Sequence, residues 1–278
     1  MTVLSQEHST MDNTMTVDAL TRARWLLEQH RAGAPFTSFL AAEPAADMGH
    51  AYDVQDAFVA LLSQAGRGSP AGYKIGLTGR PMQQMCGIDH PVAGVVLSQR
   101  VYRSPAAVRG DGFVRLGVES ELAVQFARPL SARPGTAVSA DDVLASLGAA
   151  AAAFELVDDR GADYGALEAR SLVADNSWNE GIVLGAPVAL GDLGDFGALD
   201  GTLEIDGRVV DHGRSGSALG GPLAAVAWLA EHLAARGRRI EAGDWVMTGS
   251  LVTTRFAQPG ERYRFALGAL PAVELEIG

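Results

Sequence analysis

The 278-residue chain predicts an α+β fold, a small helical N-terminal region followed by a mostly β domain. Three observations carry this. Helix-period apolar patterning fills residues 15–70. From Tyr73 onward the texture changes to short apolar runs separated by Gly, Pro and Asp. Those runs do not alternate regularly with helices, as a doubly wound sheet would require.

Residues 1–14 predict a flexible tail, with Met1, Met11 and Met15 all possible starts. Residues 16–31 predict an amphipathic helix whose apolar side is Leu20, Ala23, Leu27 and the nearby Trp25 and Leu26, ended by Gly33 and Pro35. The stretch "MGHAYDVQDAFVALLSQAGRG" predicts a second helix that buries Tyr52, Phe58, Val59 and Leu62. After "GSPAG", strands are expected at "YKIGLT", "GVVLS", "LGVESELAVQF", "FELVD", "GIVLG", "GTLEIDG", "DWVMTG", "RYRFAL" and "AVELEIG". Two helices interrupt them. One is "SADDVLASLGAAAAA", N-capped by Ser139 with Asp141 and Asp142 in its first turn; the other is "GPLAAVAWLAEHLAARG", with Pro222 at its start and Gly237 as its stop.

Composition narrows the function classes. A hydrophobic fraction of 47% and a charged fraction of 20% are those of an ordinary soluble globular chain. The formal net charge is −11, and no run of Lys or Arg offsets it, which argues against nucleic-acid or anionic-membrane partners. The short "RGRR" at Arg236 to Arg239 suits a helix C-terminus instead. A single cysteine, Cys86, excludes an intramolecular disulfide. No stretch approaches the roughly 20 apolar residues of a membrane span, and the N-terminus lacks the pattern of a signal peptide. The expected location is the cytoplasm.

The chemistry begins at Leu116–Phe126, "LGVESELAVQF", which reads as a core strand with two acids in its middle. Strand alternation puts Glu119, Glu121 and Ala123 on one face and Val118, Ser120, Leu122, Val124 and Phe126 on the other. Either the acids face water, as in "LEID" and "VELEIG" elsewhere, or a divalent cation balances them, for which oxygen-only ligation suits Mg²⁺ or Mn²⁺. Glu155, flanked by Phe154, Leu156 and Val157, is a candidate third ligand or a core partner of Arg160. Lys74, between Tyr73 and Ile75, is either a snorkelling side chain or a buried cation that anchors an anionic substrate or moves protons. Asp89 in "GIDHP" is either a turn residue or an acid/base group. The chain has no H-E-x-x-H, Walker-type or G-x-S-x-G motif, and "GRSGSALGG" lacks the strand and helix flanks of a dinucleotide fingerprint.

In order, "AYDVQ", "GYKIGLT", "GIDHPVAG", "GVESELAVQF", "FELVDDR", "LVADN", "GRSGSALGGPLAAVAWLA" and "GDWVMTGSL" resemble the 2-keto-4-pentenoate hydratase / 4-oxalocrotonate decarboxylase group of the fumarylacetoacetate hydrolase superfamily. The resemblance spans nearly the whole chain after the tail. It implies a mixed β-roll as the catalytic domain (71–278), Mg²⁺ or Mn²⁺ as cofactor, a small-molecule 2-keto or 2-hydroxy-dienoate substrate, and a homo-oligomer. It also implies metal ligation by Glu119, Glu121 and Glu155, catalysis by Lys74 and Asp89, and substrate contacts from Leu77, Asn176 and Ser250, the last within the loop Thr248 to Leu251. The implied reaction is hydration of a 2-hydroxy-2,4-dienoate to a 4-hydroxy-2-oxo acid. Decarboxylation of a 2-keto diacid, C–C hydrolysis of an acylpyruvate and a non-catalytic partner subunit are the alternatives. Two departures from the pattern fall near the expected pocket: "DNSWNEG", with its bulky Trp178, and Asp159 in place of a small residue.

Overall fold

A computed structural model describes residues 11–278 apart from positions 44, 193, 194 and 218. Residues 1–10, most of the expected tail, lie outside the described residues, and the helix expected from residue 16 begins earlier. It is α1 (Met11–Arg31), followed by α2 (Met48–Leu62), which runs into a helical turn kinked at Gly66. Next come β1 (Pro70–Gly76), α3 (Arg80–Met85), β2 (Val92–Leu97), β3 (Val101–Arg103), β4 (Ala106–Val108) and β5 (Leu116–Phe126). Then α4 (Ala140–Ser146), β6 (Leu147–Asp158), α5 (Ala169–Ala174), β7 (Asn179–Leu184), β8 (Val188–Ala189), β9 (Asp200–Ile205) and β10 (Arg208–Arg214) follow. The chain closes with α6 (Pro222–Ala235), β11 (Trp245–Ser250), β12 (Arg255–Phe256), β13 (Arg262–Leu267) and β14 (Leu270–Ile277).

The strands form two mixed sheets, which is the α+β, β-roll architecture expected. The larger runs in the order β2, β1, β11, β5, β6, β7, β3, with β12 paired to β5 and β8 to β6. The smaller runs β10, β9, β13, β14, β4. Parallel pairs (β1 with β11, β3 with β7, β14 with β4) sit among antiparallel ones. The long antiparallel pair of β5 and β6 is the spine of the larger sheet. Alternation along β5 sorts its side chains as expected. Val118, Leu122, Val124 and Phe126 join the main apolar core, whereas Ala123 joins a separate cluster with Ala151, Ala153, Ile182 and Met247 on the opposite face. The main core is continuous from Leu26 of α1 through Phe58 of α2 to Phe154 and Tyr263 of the β region.

Three expectations are corrected. The helix begun at Ser139 forms, with a reciprocal Ser139–Asp142 capping box, but it ends at Ser146, and the alanine run becomes β6. Alanine is the best helix former, but propensity is a weak preference; Ala150–Ala153 are fully buried between strands, and sheet pairing overrides it. The strand at "YKIGLT" ends at Gly76, because Leu77 adopts a φ of +52° and leaves Thr78 beyond the pairing. On α1 the buried face is Ala19, Ala23 and Leu26, whereas Trp25 is 37% exposed against Phe39. On α2, Tyr52, Phe58, Val59 and Leu62 are all buried as expected. Among the described residues no helix is long and apolar enough to cross a membrane.

Strand β1 depends on Gly72. Its φ is +145°, and a Cβ there would lie 1.9 Å from the Trp245 carbonyl oxygen on β11. Gly72→Ala must therefore separate β1 from β11, and a destabilisation of about 2–4 kcal/mol is expected in urea unfolding. Unchanged stability would contradict this packing.

Candidate metal centre

The register builds the site. Glu119 of β5 lies directly opposite Glu155 of β6, and Glu121 lies opposite Ala153. Lys74 of β1 pairs with Met247 of β11, which pairs with Ala123 of β5. That row carries Lys74 onto the face of the sheet that holds the acids. Carboxylate oxygens of Glu119, Glu121 and Glu155 all lie within 4.8 Å of one another. Small side chains, Ala123 and Ala153, surround them and leave room. Glu121 and Glu155 are fully buried and Glu119 is partly so.

Each carboxylate has one fixed partner or set of partners. Thr254 Oγ1 donates to Glu119 Oε1 at 2.7 Å. The Gly249 N–H donates to Glu121 Oε2 at 2.8 Å. Glu155 Oε1 accepts from Asn179 Nδ2 at 2.8 Å and faces Lys74 Nζ at 3.2 Å. The alternative partner for Glu155, Arg160, pairs with Asp175 instead. Of the three other oxygens, Glu121 Oε1 and Glu155 Oε2 are buried and without a hydrogen-bond partner among the described residues.

The electrostatics follow from burial. Desolvation, and then the charges of Glu155 and Glu119, push the Glu121 carboxyl well above the ordinary range. Burial also raises Glu155, against the pull of Lys74. For Lys74 burial alone would depress the ammonium, but Glu155, Glu119 and Glu121 outweigh it and hold the pKa above the usual lysine value. Lys74 is therefore a protonated, buried cation. One ammonium does not balance three carboxylates, and an all-oxygen group with two unpartnered buried oxygens is what a divalent cation would complete.

The remaining expected residues are placed as follows. Leu77 is half-buried, and its carbonyl accepts from Gln83. Ser250 is half-buried beside Glu121 in the register and donates to the Val252 carbonyl. Asn176 is buried, and both ends of its amide bind the Val95 backbone on β2, so its side chain braces a strand. Asp89 is exposed and shares a cavity of about 650 Å³ with Thr78, Arg80, Gln83, Ser217 and Leu219. The same Thr78 side chain abuts Gly249, the donor to Glu121. Residue 218, inside the glycine-rich stretch "GRSGSALGG", lies outside the described residues.

Sequence reasoning did not single out Asn179, Thr254 or Gly249 as partners of the acids. Asn179 had a signal, since it lies in the segment that departs from the family pattern. Thr254 had none, because only the β5–β12 pairing brings it near. Asp159, the other departure, accepts from Arg115 Nε at 2.7 Å and from the Tyr164 hydroxyl at 3.1 Å, and so ties two loops together. Trp178 packs edge-on against Phe36 and faces Tyr164.

Comparison with known proteins agrees with this fold. The family described as fumarylacetoacetate (FAA) hydrolase C-terminal matches residues 78–277. A 2-keto-4-pentenoate hydratase from Burkholderia vietnamiensis is 36% identical over 181 residues, covering 65% of this chain and 67% of that protein. A 4-oxalocrotonate decarboxylase from Pseudomonas putida is 30% identical over 205 residues, covering 72% of this chain and 76% of that one. Among solved structures, 4-oxalocrotonate decarboxylase from Pseudomonas putida G7, complexed with magnesium and adipate, superposes with a TM-score of 0.86 at 25% identity, covering 94% of this chain and 98% of that one. With residues 78–277 matched by that family's model, the chain belongs to the fumarylacetoacetate hydrolase family.

Proposed function

We propose that the chain is a divalent-metal-dependent hydratase that adds water to a 2-hydroxy-2,4-dienoate and yields a 4-hydroxy-2-oxo acid. The observation that carries this reading is the buried face of Glu119, Glu121 and Glu155, with Lys74 as the cation paired to it among the described residues. The three carboxylates would hold Mg²⁺ or Mn²⁺, which when bound supplies Lewis-acid charge for the oxygen that turns anionic during the reaction.

The chain's own residues do the rest. Lys74, held protonated by its acidic neighbours, donates to the substrate carboxylate and orients it. Asp89, open to solvent in the cavity beside Thr78, moves protons. The enol hydroxyl loses its proton and C5 gains one, giving a 2-keto-3-enoate. Water then adds across C3 and C4, its oxygen to C4 and a proton to C3. Leu77 and Ser250 flank the substrate, and Asn176 keeps β2 in place through Val95. No covalent nucleophile is required.

A second reading, loss of CO₂ from a 2-keto diacid, is favoured by one further observation. Arg80 lines the cavity of Thr78 and Asp89, and among the described residues it makes no ion pair. A guanidinium at that place suits a second, distal carboxylate.

Mg²⁺ at a hundred times its Kd is expected to stabilise the protein by about 2.7 kcal/mol. The corresponding rise in Tm disappears in Glu119→Ala; a wild type whose melting ignores both Mg²⁺ and Mn²⁺ would sink the metal reading. Incubation with freshly generated 2-hydroxypenta-2,4-dienoate should consume the dienol absorbance and give 4-hydroxy-2-oxopentanoate. Lys74→Met should lower kcat/KM by about 100-fold, or ~2.7 kcal/mol, without abolishing the Mg²⁺ shift. For the second reading, 2-oxo-3-hexenedioate is the test substrate. Arg80→Leu should cost about 10-fold to 100-fold in CO₂ release yet leave turnover of the dienoate unchanged; equal losses on both substrates would remove Arg80 from substrate selection.

A further inference from the structure

A second set of buried charges, separate from the metal face, surrounds His30 in the last turn of α1. His30 Nε2 lies 2.6 Å from Asp175 Oδ1, and its Nδ1 lies 3.5 Å from Glu180 Oε1. The other oxygen of Asp175 takes the buried guanidinium of Arg160. Glu180 Oε2 takes Arg67 at 2.5 Å, and Arg100 approaches at 3.8 Å. The ring of Phe58 packs against the imidazole at 5.0 Å between centroids. These groups, from the turn after α2, the segment before β3, the turn after β6, the end of α5 and the start of β7, are, among the described residues, the charged groups that face His30.

Asp175 and Glu180 bracket an unusual piece of backbone. Asn176, Ser177 and Trp178 have φ values of +49°, +50° and +61°. Three successive left-handed L-residues cost on the order of 1–2 kcal/mol each, so the surroundings must hold them. Asn176 grips Val95 with both ends of its amide, and Ser177 Oγ donates to the Ala93 carbonyl at 3.0 Å. The approach is so close that a Cβ on Gly94 of β2 would lie 2.7 Å from the Asn176 carbonyl oxygen and 3.1 Å from Lys74 Cγ. The next residue, Asn179, donates to Glu155. The turn therefore reaches the metal face directly at Glu155 and approaches Lys74 across Gly94.

We propose that His30 is a positioning residue for the metal centre: its imidazolium ties Asp175 to Glu180 across the base of the left-handed turn and so holds Asn179 on Glu155. This rests on the metal reading above. The chemistry singles out the charged form, because a neutral imidazole has one N–H and cannot donate to both carboxylates, whereas the imidazolium has two. Burial opposes that form, but Asp175 and then Glu180 outweigh it despite Arg160, and the pKa stands at about 9. The folded value lies above the unfolded one, so the stability the clamp contributes is fully present below about pH 6.5, and the clamp itself is lost as pH rises through about 9.

The test is the Mg²⁺ Kd of the full chain, measured by calorimetry from pH 7 to 9.5, for the wild type and for His30→Gln, well below both melting temperatures. The ratio of the two constants removes the titration of Glu121, which is common to both. A weakening of about 10-fold in the variant at pH 7, closing toward unity above pH 9, is expected. A role confined to global stability would move Tm and leave the ratio at one. A ratio of one at pH 7 in a folded variant, or a ratio that does not change with pH, overturns the proposal. If His30→Gln does not fold, the wild type alone decides through reciprocity: saturating Mg²⁺ should raise the His30 imidazole pKa, read by NMR, by the same factor of about ten. A value unchanged or lowered by Mg²⁺ overturns the proposal. A wild type that binds no Mg²⁺ overturns the metal reading itself, which is a different result from metal binding that ignores His30.

Discussion

The repulsion between Glu119 and Glu155 is the constraint on which the rest of this structure turns. The two are direct cross-strand partners on the central antiparallel pair, with Glu121 one step along the same face. Like charges opposite each other destabilise a sheet, and burial makes the penalty larger. The surrounding elements each answer part of it: Lys74 comes from β1, Asn179 from the start of β7, the Gly249 N–H from the end of β11, and Thr254 from the turn before β12. Two buried carboxylate oxygens without a partner among the described residues leave a charge arrangement that a divalent ion suits. Sheet order, loop position and side-chain size (Ala123, Ala153) all converge on that one point.

A second layer supports the first. Asn179 can serve Glu155 only because the backbone before it turns left-handed through three residues. That turn is anchored below by Val95 and Ala93 and at its ends by the charges around His30. The N-terminal helices are thus more than a cover on the β domain. Their own apolar residues belong to the common core, and α1 delivers His30 to the one segment whose backbone is least favourable. A helix and a strained turn far apart in sequence, residues 30 and 176, are joined by buried charge rather than by apolar packing alone.

The reactions open to such a site differ in what leaves or joins the substrate, not in how its carboxylate is held. Under the proposed function, hydration and decarboxylation both pass through an extended enolate, so the same acids and the same lysine would serve either. Under that proposal discrimination would fall to the cavity lined by Arg80, Asp89 and Thr78.

Much of this was legible in the chain itself. Strand period placed Glu119 and Glu121 on one face, the bounds of β5 matched the quoted segment, and the apolar neighbours of Glu155 signalled its burial. Helix signals at Ser139 and Pro222 were correct at their starts, since capping is local chemistry. What the chain could not decide by itself were the features set by neighbours. Glu274 and Glu276 have the same spacing as Glu119 and Glu121, yet they are exposed on β14; only sheet order separates an acid pair in water from one in the interior. An alanine run is a helix by propensity and a strand here because strands flank it on both sides. Asn176, expected near the substrate, gives both ends of its amide to Val95, because β2 lies against it. Residue type and period determined which groups could do chemistry, being properties of a few adjacent residues. Tertiary structure decided which of them meet, because register, burial and unpaired charge exist only once distant strands are side by side.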